Sequence, residues 1–356
     1  MKAAVFEKTG QRLLIHDVEQ PVLGDNELLL KVAFTGICGS DLHAAETPGA
    51  LPPGTVMGHE FTGEIVQSTS PDWQIGERVV ANPLWVCDVC ASGGKCHSGR
   101  DPACANSCFM GFKPEVPGAY AEFVRIRASQ AIRLPDNVSL RDGALIEPLA
   151  VASHAVDVCG RVKDDHVLVI GGGPIGLGVL LMSIDAGAAT VVVSEPDADR
   201  RACALKLGAA AAIDPTVEDL PSALARIGIG PPDVVFECVG APGFLQQTID
   251  VMAVRARAVI VGVCMTEDRW MPRAAIRKEA TLKFALGYTP HNFAYVSRYL
   301  SQNARKAAAM VSMVVSLDAL PEVFDQLRSQ KSLIKVLMTP APQQDPINTM
   351  KGRPFQ

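Results

Sequence analysis

The spacing of hydrophobic positions changes near residue 140, and that change divides the chain. Before it, short apolar runs alternate with turn residues. KAAVF, LLIHDVE and ELLLKVAFTG read as strands, with Gly10 and Gly24-Asp25-Asn26 as turns. GEIVQS and GERVVAN extend the pattern on either side of Pro71-Asp72-Trp73, and AYAEFVRIRASQAIRLP returns to it. This half is predicted to be β-rich and barrel-like. Residues 83–118 interrupt it with few periodic apolar positions and many Cys, Gly and Pro. Such a lobe buries no core of its own and needs a staple.

Beyond residue 140, LRDGALIEPLAVASHAVDVC carries apolar residues three and four apart, as a helix does. HVLVIGGGPIGLGVLLMSIDAGAATVVVSEP then reads as strand, glycine turn, helix and strand. KLGAAAAIDP, PDVVFECVG, FLQQTIDVMAV and ARAVIVGV continue the alternation, which builds a parallel sheet. From about Thr289, FAYVSRYLSQ and ALPEVFDQLRSQ are helical, and LIKVLMTP closes the fold as a strand. The segment from Pro342 to Gln356 is polar, holds three prolines and is expected to carry no catalytic weight. No internal repeat or low-complexity tract is visible.

At 356 residues the chain is expected to form two domains. A net charge of −5 argues against nucleic acid or an anionic membrane as a partner. No apolar run is long enough to span a bilayer, and MKAAVFEKTG lacks the apolar core and cleavage site of a signal peptide. A cytoplasmic location is expected. In a reducing compartment, ten cysteines with five between Cys87 and Cys108 point to metal rather than disulfides.

The clearest motif lies at Gly171, Gly173 and Gly176, a G-x-G-x-x-G between the strand VLVI and an apolar helix. The first glycine makes a tight turn, the second lets backbone approach a pyrophosphate, and the third lets helix pack on strand. The helix N-terminus supplies N–H groups to phosphate. Glu195 follows 19 residues after Gly176, at the end of TVVVSE. There it would accept the adenosine ribose hydroxyls and repel a 2′-phosphate, which favours NAD over NADP. Arg200 is placed to reach the same ribose.

Two regions carry metal-ligand chemistry. Cys87-x2-Cys90-x5-Cys96-x7-Cys104 offers four thiolates in an unsupported loop, the pattern of a closed structural zinc. Cys108 is a spare thiol, and His97 reads as a surface residue. The stretch Gly36–Glu64 packs Cys38, Ser40, Asp41, His43, His59 and Glu60 together. Cys38 and His59 are its two ligand candidates. Asp41 can fix a ligand histidine's tautomer, and Glu60 is open between ligand and neighbour. Glu147, in LIEPLA, is the candidate for a third ligand; its other reading is an acid favourable to a helix N-terminus. Cys159, Cys203, Cys238 and Cys264 read as buried small hydrophobes.

From about residue 1 to 340 the chain resembles the zinc-dependent alcohol dehydrogenases of the medium-chain dehydrogenase/reductase superfamily. The resemblance rests on GICGSDLH, GHEFTGEI, GERV, the cysteine lobe, EPLAV, GGGPIG, SEP and KVLMTP. EPLAV is similar to the polyol branch (sorbitol, threonine and butanediol dehydrogenases), which has Glu where classical alcohol dehydrogenases have a third zinc cysteine. The resemblance implies an α/β chain. A GroES-like catalytic domain would span 1–150 and 289–340, with the zinc lobe at 83–118. A Rossmann doubly wound parallel sheet would be inserted at 151–288, and 341–356 would be a tail.

It implies two zinc ions per chain. The catalytic one would be held by Cys38 and His59, with Glu60 and Glu147 direct or water-bridged. Ser40 would bond the alcohol, and His43 would pass its proton to solvent. Lys335 would lie near the pyrophosphate. Ile175, Val261 to Val263 and Ala285 to Gly287 would line the NAD. A small-molecule alcohol or ketone is the implied partner, in a homodimer or homotetramer.

Three departures bear on the substrate and the lobe. Five residues (Ala91 to Lys95) separate the second and third lobe cysteines, where the family usually has two. Ala44 stands where sorbitol-type enzymes carry Tyr, and Gly287 lies near the place of their Arg. The groups that would hold a polyol are therefore missing. The remaining pocket candidates, Ala44, Trp85, Phe109 and Leu286, are apolar. A hydrophobic or cyclic secondary alcohol is expected, with a polyol or amino alcohol as the alternative. The rivals are a zinc-free reductase, which would lack Cys38 and His59, and a nucleotide-binding protein without turnover, against which Ser40 and His43 argue.

Overall fold

A computed structural model of the chain describes residues 1–85, 108–329 and 332–340. Cys87, Cys90, Cys96 and Cys104, the expected structural zinc ligands, lie outside the described residues, as does the tail from 341. The chain divides into two compact units. One comprises Met1–Glu147, Ser297–Ala304 and the chain from Val311 onward; the other comprises Pro148–Val296 and Arg305–Met310.

The first unit is built on a seven-stranded sheet. Its strands run in the order Ala131–Arg133, Arg78–Ala81, Glu60–Ser68, Glu27–Gly36, Lys335–Thr339 and Val311–Ser316, with Phe123–Arg127 also pairing with Glu27–Gly36. On the long central strand Glu27–Gly36, Leu28, Leu30 and Val32 lie two residues apart and face one core, as the pleat requires. Leu28, Leu30 and Val32 pack with Phe61, Ile65, Val79, Val124 and Ile126. A second core gathers Val5, Phe6, Val56, Met57, Tyr120, Phe324 and Met338 around the small sheet of Leu14–Asp17, Lys2–Phe6 and Thr55–Val56. Two register facts matter for the site. Gly36 lies opposite Glu60 on one neighbouring strand and opposite Leu337 on the other. Side chains directly opposite point to the same face, so Glu60, Gly36, Leu337 and Lys335 share one face.

The second unit is a six-stranded parallel sheet in the order Ala211–Ile213, Thr190–Ser194, His166–Ile170, Val234–Glu237, Arg257–Ile260 and Thr281–Phe284. Its central strands are nearly continuous apolar runs, and Leu168, Ile170, Val192, Val235 and Ala258 are buried together, as expected of a sheet covered on both faces. Strand order reverses beside His166–Ile170. That reversal opens a crevice at the carboxyl ends of the strands, where doubly wound sheets take their ligands. Of the cysteines read as buried, Cys159 and Cys203 are buried; Cys238 and Cys264 are only half-buried. No helix among the described residues is long and apolar enough to cross a membrane.

Candidate active site

The candidate metal cluster is assembled from the ends of several elements. Gly36 ends its strand, and the chain turns at Cys38 into the helix Gly39–Glu46. Asp41, at the third helical position, accepts the Cys38 backbone N–H through Oδ2 at 3.2 Å, the carboxylate half of a capping box. The same oxygen accepts the Tyr120 hydroxyl at 2.7 Å. Asp41 Oδ1 lies 3.2 Å from His59 Nδ1. Both residues are almost fully enclosed, at 0% and 2% exposed.

Burial alone would raise Asp41. The His59 ring and the donors Tyr120 and Cys38 N–H outweigh it and hold the carboxyl below its usual range. Burial likewise works against a charged His59, yet Asp41 carries it well above the ordinary histidine value. Asp41 stands beside Nδ1, the side of the ring where a carboxylate sets the tautomer and leaves Nε2 for a cation. Burial pushes the Tyr120 phenol well up, and the Asp41 charge adds to this, so Tyr120 remains a donor.

Ligand atoms of Cys38, His59 and Glu60 lie within 4.8 Å of one another. A half-buried thiol with a buried imidazole and a buried carboxylate beside it matches the donor set of zinc. Ser40 Oγ is 3.4 Å from His59 Nε2. Ser40 and His43 are exposed, three residues apart on one helix, a spacing that puts them on neighbouring positions of its surface. Phe109 meets the His59 ring edge-on at 5.0 Å, and Phe112 lies 5.8 Å from it.

Glu147 sits in the first turn of the helix Ile146–Cys159 and is 4% exposed. It is not among the three residues of the close cluster, but its charge acts on Lys335. Lys335 itself is 1% exposed. Its Nζ donates to both Glu60 oxygens at 2.7 Å and to the Ile37 carbonyl at 3.1 Å. An ammonium has three N–H bonds, and these three acceptors take them all. The resemblance placed Lys335 at a pyrophosphate; the fold places its head on Glu60, because the two side chains share one face of the sheet.

Of the expected pocket residues, Phe109 reaches the cluster. Ala44 is 8% exposed and packs into the core with Ala45 and Val5. Trp85 is half-buried, with the Arg127 guanidinium 4.6 Å from its ring centroid. Leu286 is 64% exposed in the second unit.

Sequence reading missed Tyr120 and Gly36. Tyr120 sits 79 residues from Asp41 inside an ordinary strand pattern, so no local signal marks it. Its ring lies against Gly58, where any Cβ would overlap it.

The nucleotide half is local. Gly171 turns the chain at φ +100°, and its N–H donates to Ser194 O at 2.8 Å. A Cβ on Gly176 would overlap the Gly171 carbonyl. Gly173 caps the helix Pro174–Asp185, with Pro174 at its first position and Ile175 next. Glu195 is 5% exposed at the end of the neighbouring strand. Its Oε2 accepts the Gly172 N–H at 2.7 Å and its Oε1 the Asp197 N–H at 2.9 Å. Arg200 Nη1 is 3.9 Å from Oε2. The acidic side chain is therefore pinned against the glycine turn.

Residues 24–136 match the alcohol dehydrogenase GroES-like domain, and residues 174–302 match the zinc-binding dehydrogenase family. The chain is 32% identical to (R,R)-butanediol dehydrogenase of Bacillus subtilis over 96% of this chain and all of that one. It is 31% identical to scyllo-inosose 3-dehydrogenase of Thermotoga maritima, covering 91% and 89% of the two chains. A zinc-binding dehydrogenase from Sinorhizobium meliloti, solved bound to NADP, superposes with a TM-score of 0.85 at 30% identity, over 95% of this chain and 99% of that one. The chain belongs to the zinc-type alcohol dehydrogenases of the medium-chain dehydrogenase/reductase superfamily. It is an oxidoreductase of alcohols that uses a nicotinamide cofactor.

Proposed function

We propose that this protein interconverts a secondary alcohol and its ketone with NAD, at a zinc centre held by Cys38 and His59. The observation that carries the reading is the thiol–imidazole–carboxylate cluster, half-buried at Cys38 and buried at His59 and Glu60, with Asp41 beside the imidazole. A zinc ion there supplies Lewis acidity toward an alcohol oxygen and lowers its pKa. The chain's own groups do the rest. Ser40 takes the hydroxyl proton and His43, exposed on the same helix, passes it to solvent. Phe109 and Phe112 give the site an apolar wall, which suits a hydrophobic or cyclic secondary alcohol.

Glu195, with Gly171, Gly173 and Gly176, supports NAD as the cofactor; a carboxylate pinned at the ribose position is hostile to a 2′-phosphate. Cys87, Cys90, Cys96 and Cys104 support a second, structural zinc through their number and spacing. A second reading, a diol or amino-alcohol substrate, is favoured by the similarity to butanediol and scyllo-inosose dehydrogenases. A panel of cyclohexanol, linear secondary alcohols, 2,3-butanediol, threonine and sorbitol, assayed with NAD and NADP, separates the readings. Apolar alcohols should give the highest kcat/KM, with NAD preferred. A polyol or an NADP preference would overturn the corresponding half.

A further inference from the structure

We infer that Arg201 is a positioning residue for cofactor binding: it holds the Pro196–Asp197 peptide so that Glu195 presents its carboxylate at the glycine turn. This rests on the proposed reading of Glu195 as the group that accepts the ribose of NAD.

The two neighbouring arginines of the helix Ala198–Lys206 have different tasks. Arg200 Nη1 lies 3.9 Å from Glu195 Oε2, on the carboxylate side. Arg201 turns to the backbone. Its Nη1 donates to the Glu195 carbonyl at 2.8 Å and to the Pro196 carbonyl at 2.6 Å. Its Nη2 lies 2.9 Å from Asp214 Oδ2, just beyond the strand Ala211–Ile213. The two side chains are 21% and 23% exposed, so this is not a freely solvated pair. The Thr216 donors and Arg201 hold Asp214 below the usual carboxylate range, which keeps the counter-charge in place. A cation near the start of a helix opposes the helix dipole. The two carbonyls and Asp214 offset that.

The link to Glu195 runs through one peptide plane. The Pro196–Asp197 peptide is trans, so its C=O and N–H point in opposite directions. Arg201 grips the C=O. The N–H is the donor to Glu195 Oε1 at 2.9 Å. Without Arg201 the plane is free to rotate and to carry that N–H away from the carboxylate. Pro196 itself has no N–H to offer in its place. The other bond, from the Gly172 N–H to Oε2 at 2.7 Å, fixes one oxygen and leaves the second to swing about it. A planar guanidinium that bridges two carbonyls and a carboxylate sets the plane. An ammonium, a compact point charge, does not.

The test is a double-mutant cycle on the full-length enzyme, read by isothermal titration with NAD and with NADP. Glu195→Ala sets the reference. If it leaves NAD binding unchanged, the ribose reading of Glu195 itself fails, whatever Arg201 does. Arg201→Met should weaken NAD about 10-fold, the scale of one charge-assisted hydrogen bond. In the Glu195→Ala background the same change should leave NAD and NADP within about 2-fold, because no carboxylate remains to be placed. A residue that merely supports the fold would cost the same in both backgrounds. A cation that touches the dinucleotide would weaken binding in both. Either result would overturn the inference, as would unchanged NAD binding in Arg201→Met. If Arg201→Met does not fold, Arg201→Lys decides. It keeps the charge and loses the fork, and should weaken NAD at least about 3-fold only where Glu195 is present. Wild-type NAD affinity in Arg201→Lys, or an equal loss in the Glu195→Ala background, would then overturn it.

Discussion

The metal cluster and the nucleotide turn are built on opposite principles. The turn is contiguous. Residues 171–176 make it, and its partner Glu195 comes from the very next strand. Its recognition groups are mostly backbone N–H bonds, and its glycines matter for what they lack. The cluster draws Cys38, Asp41, His59, Glu60, Tyr120 and Lys335 from segments up to 298 residues apart, as the Lys335–Ile37 bond shows. Its groups are side chains, nearly all enclosed, and each buried charge has a named partner. A backbone site tolerates substitution poorly only where space is tight. A side-chain site fails wherever one partner in a buried chain is removed.

The sharpest test of that contrast is Cys38→Ser. Turnover should fall by roughly 10³ or more, on the scale lost with a principal catalytic group, and one metal per chain should disappear. NADH binding, followed by fluorescence, should survive because the nucleotide turn is made independently. Joint loss of both would break the comparison. Gly176→Val should do the reverse. Forcing a branched side chain against the Gly171 carbonyl should cost about 1–3 kcal/mol in thermal unfolding and abolish nucleotide binding, with the metal content intact.

Glu195→Ala should weaken NAD by about 10–100-fold, the loss of one or two charge-assisted hydrogen bonds, and NADP by much less. Isothermal titration with both dinucleotides reads this. An equal loss for the two would remove Glu195 from cofactor selection. Tyr120→Phe should have the smallest effect. Asp41 keeps its Cys38 N–H and His59 contacts but loses its shortest bond. The buried acceptor left short should cost about 1–3 kcal/mol of stability, and EDTA should strip the catalytic metal severalfold faster. Unchanged metal release would reduce Tyr120 to packing.

How much of this was legible beforehand follows the same division. The turn was read nearly whole, since a strand, three glycines, an apolar helix and an acid at the next strand end are all local marks. Even so, the bond that Glu195 accepts from the Gly172 N–H needed the neighbouring strand in place. In the cluster, Cys38, His59 and Asp41 stood out by residue type and close spacing. Gly36 and Tyr120 did not, because nothing beside them in the chain is unusual. Lys335 was noticed for a different role. Its distance in sequence hid the fact that its strand lies beside Gly36 and points it at Glu60.

The sequence alone determined the order of strands and helices, the dinucleotide turn and the residue types a zinc ion wants. Each of these is written in periodicities and spacings of a few residues, where chain connectivity limits what neighbours can do. Only the tertiary structure decided which carboxylate is clamped by which ammonium, and that Gly36, where any Cβ would collide with Glu60 Oε2, is the seat for Glu60. Those facts depend on sheet register, and register is settled by pairing between segments far apart in the chain.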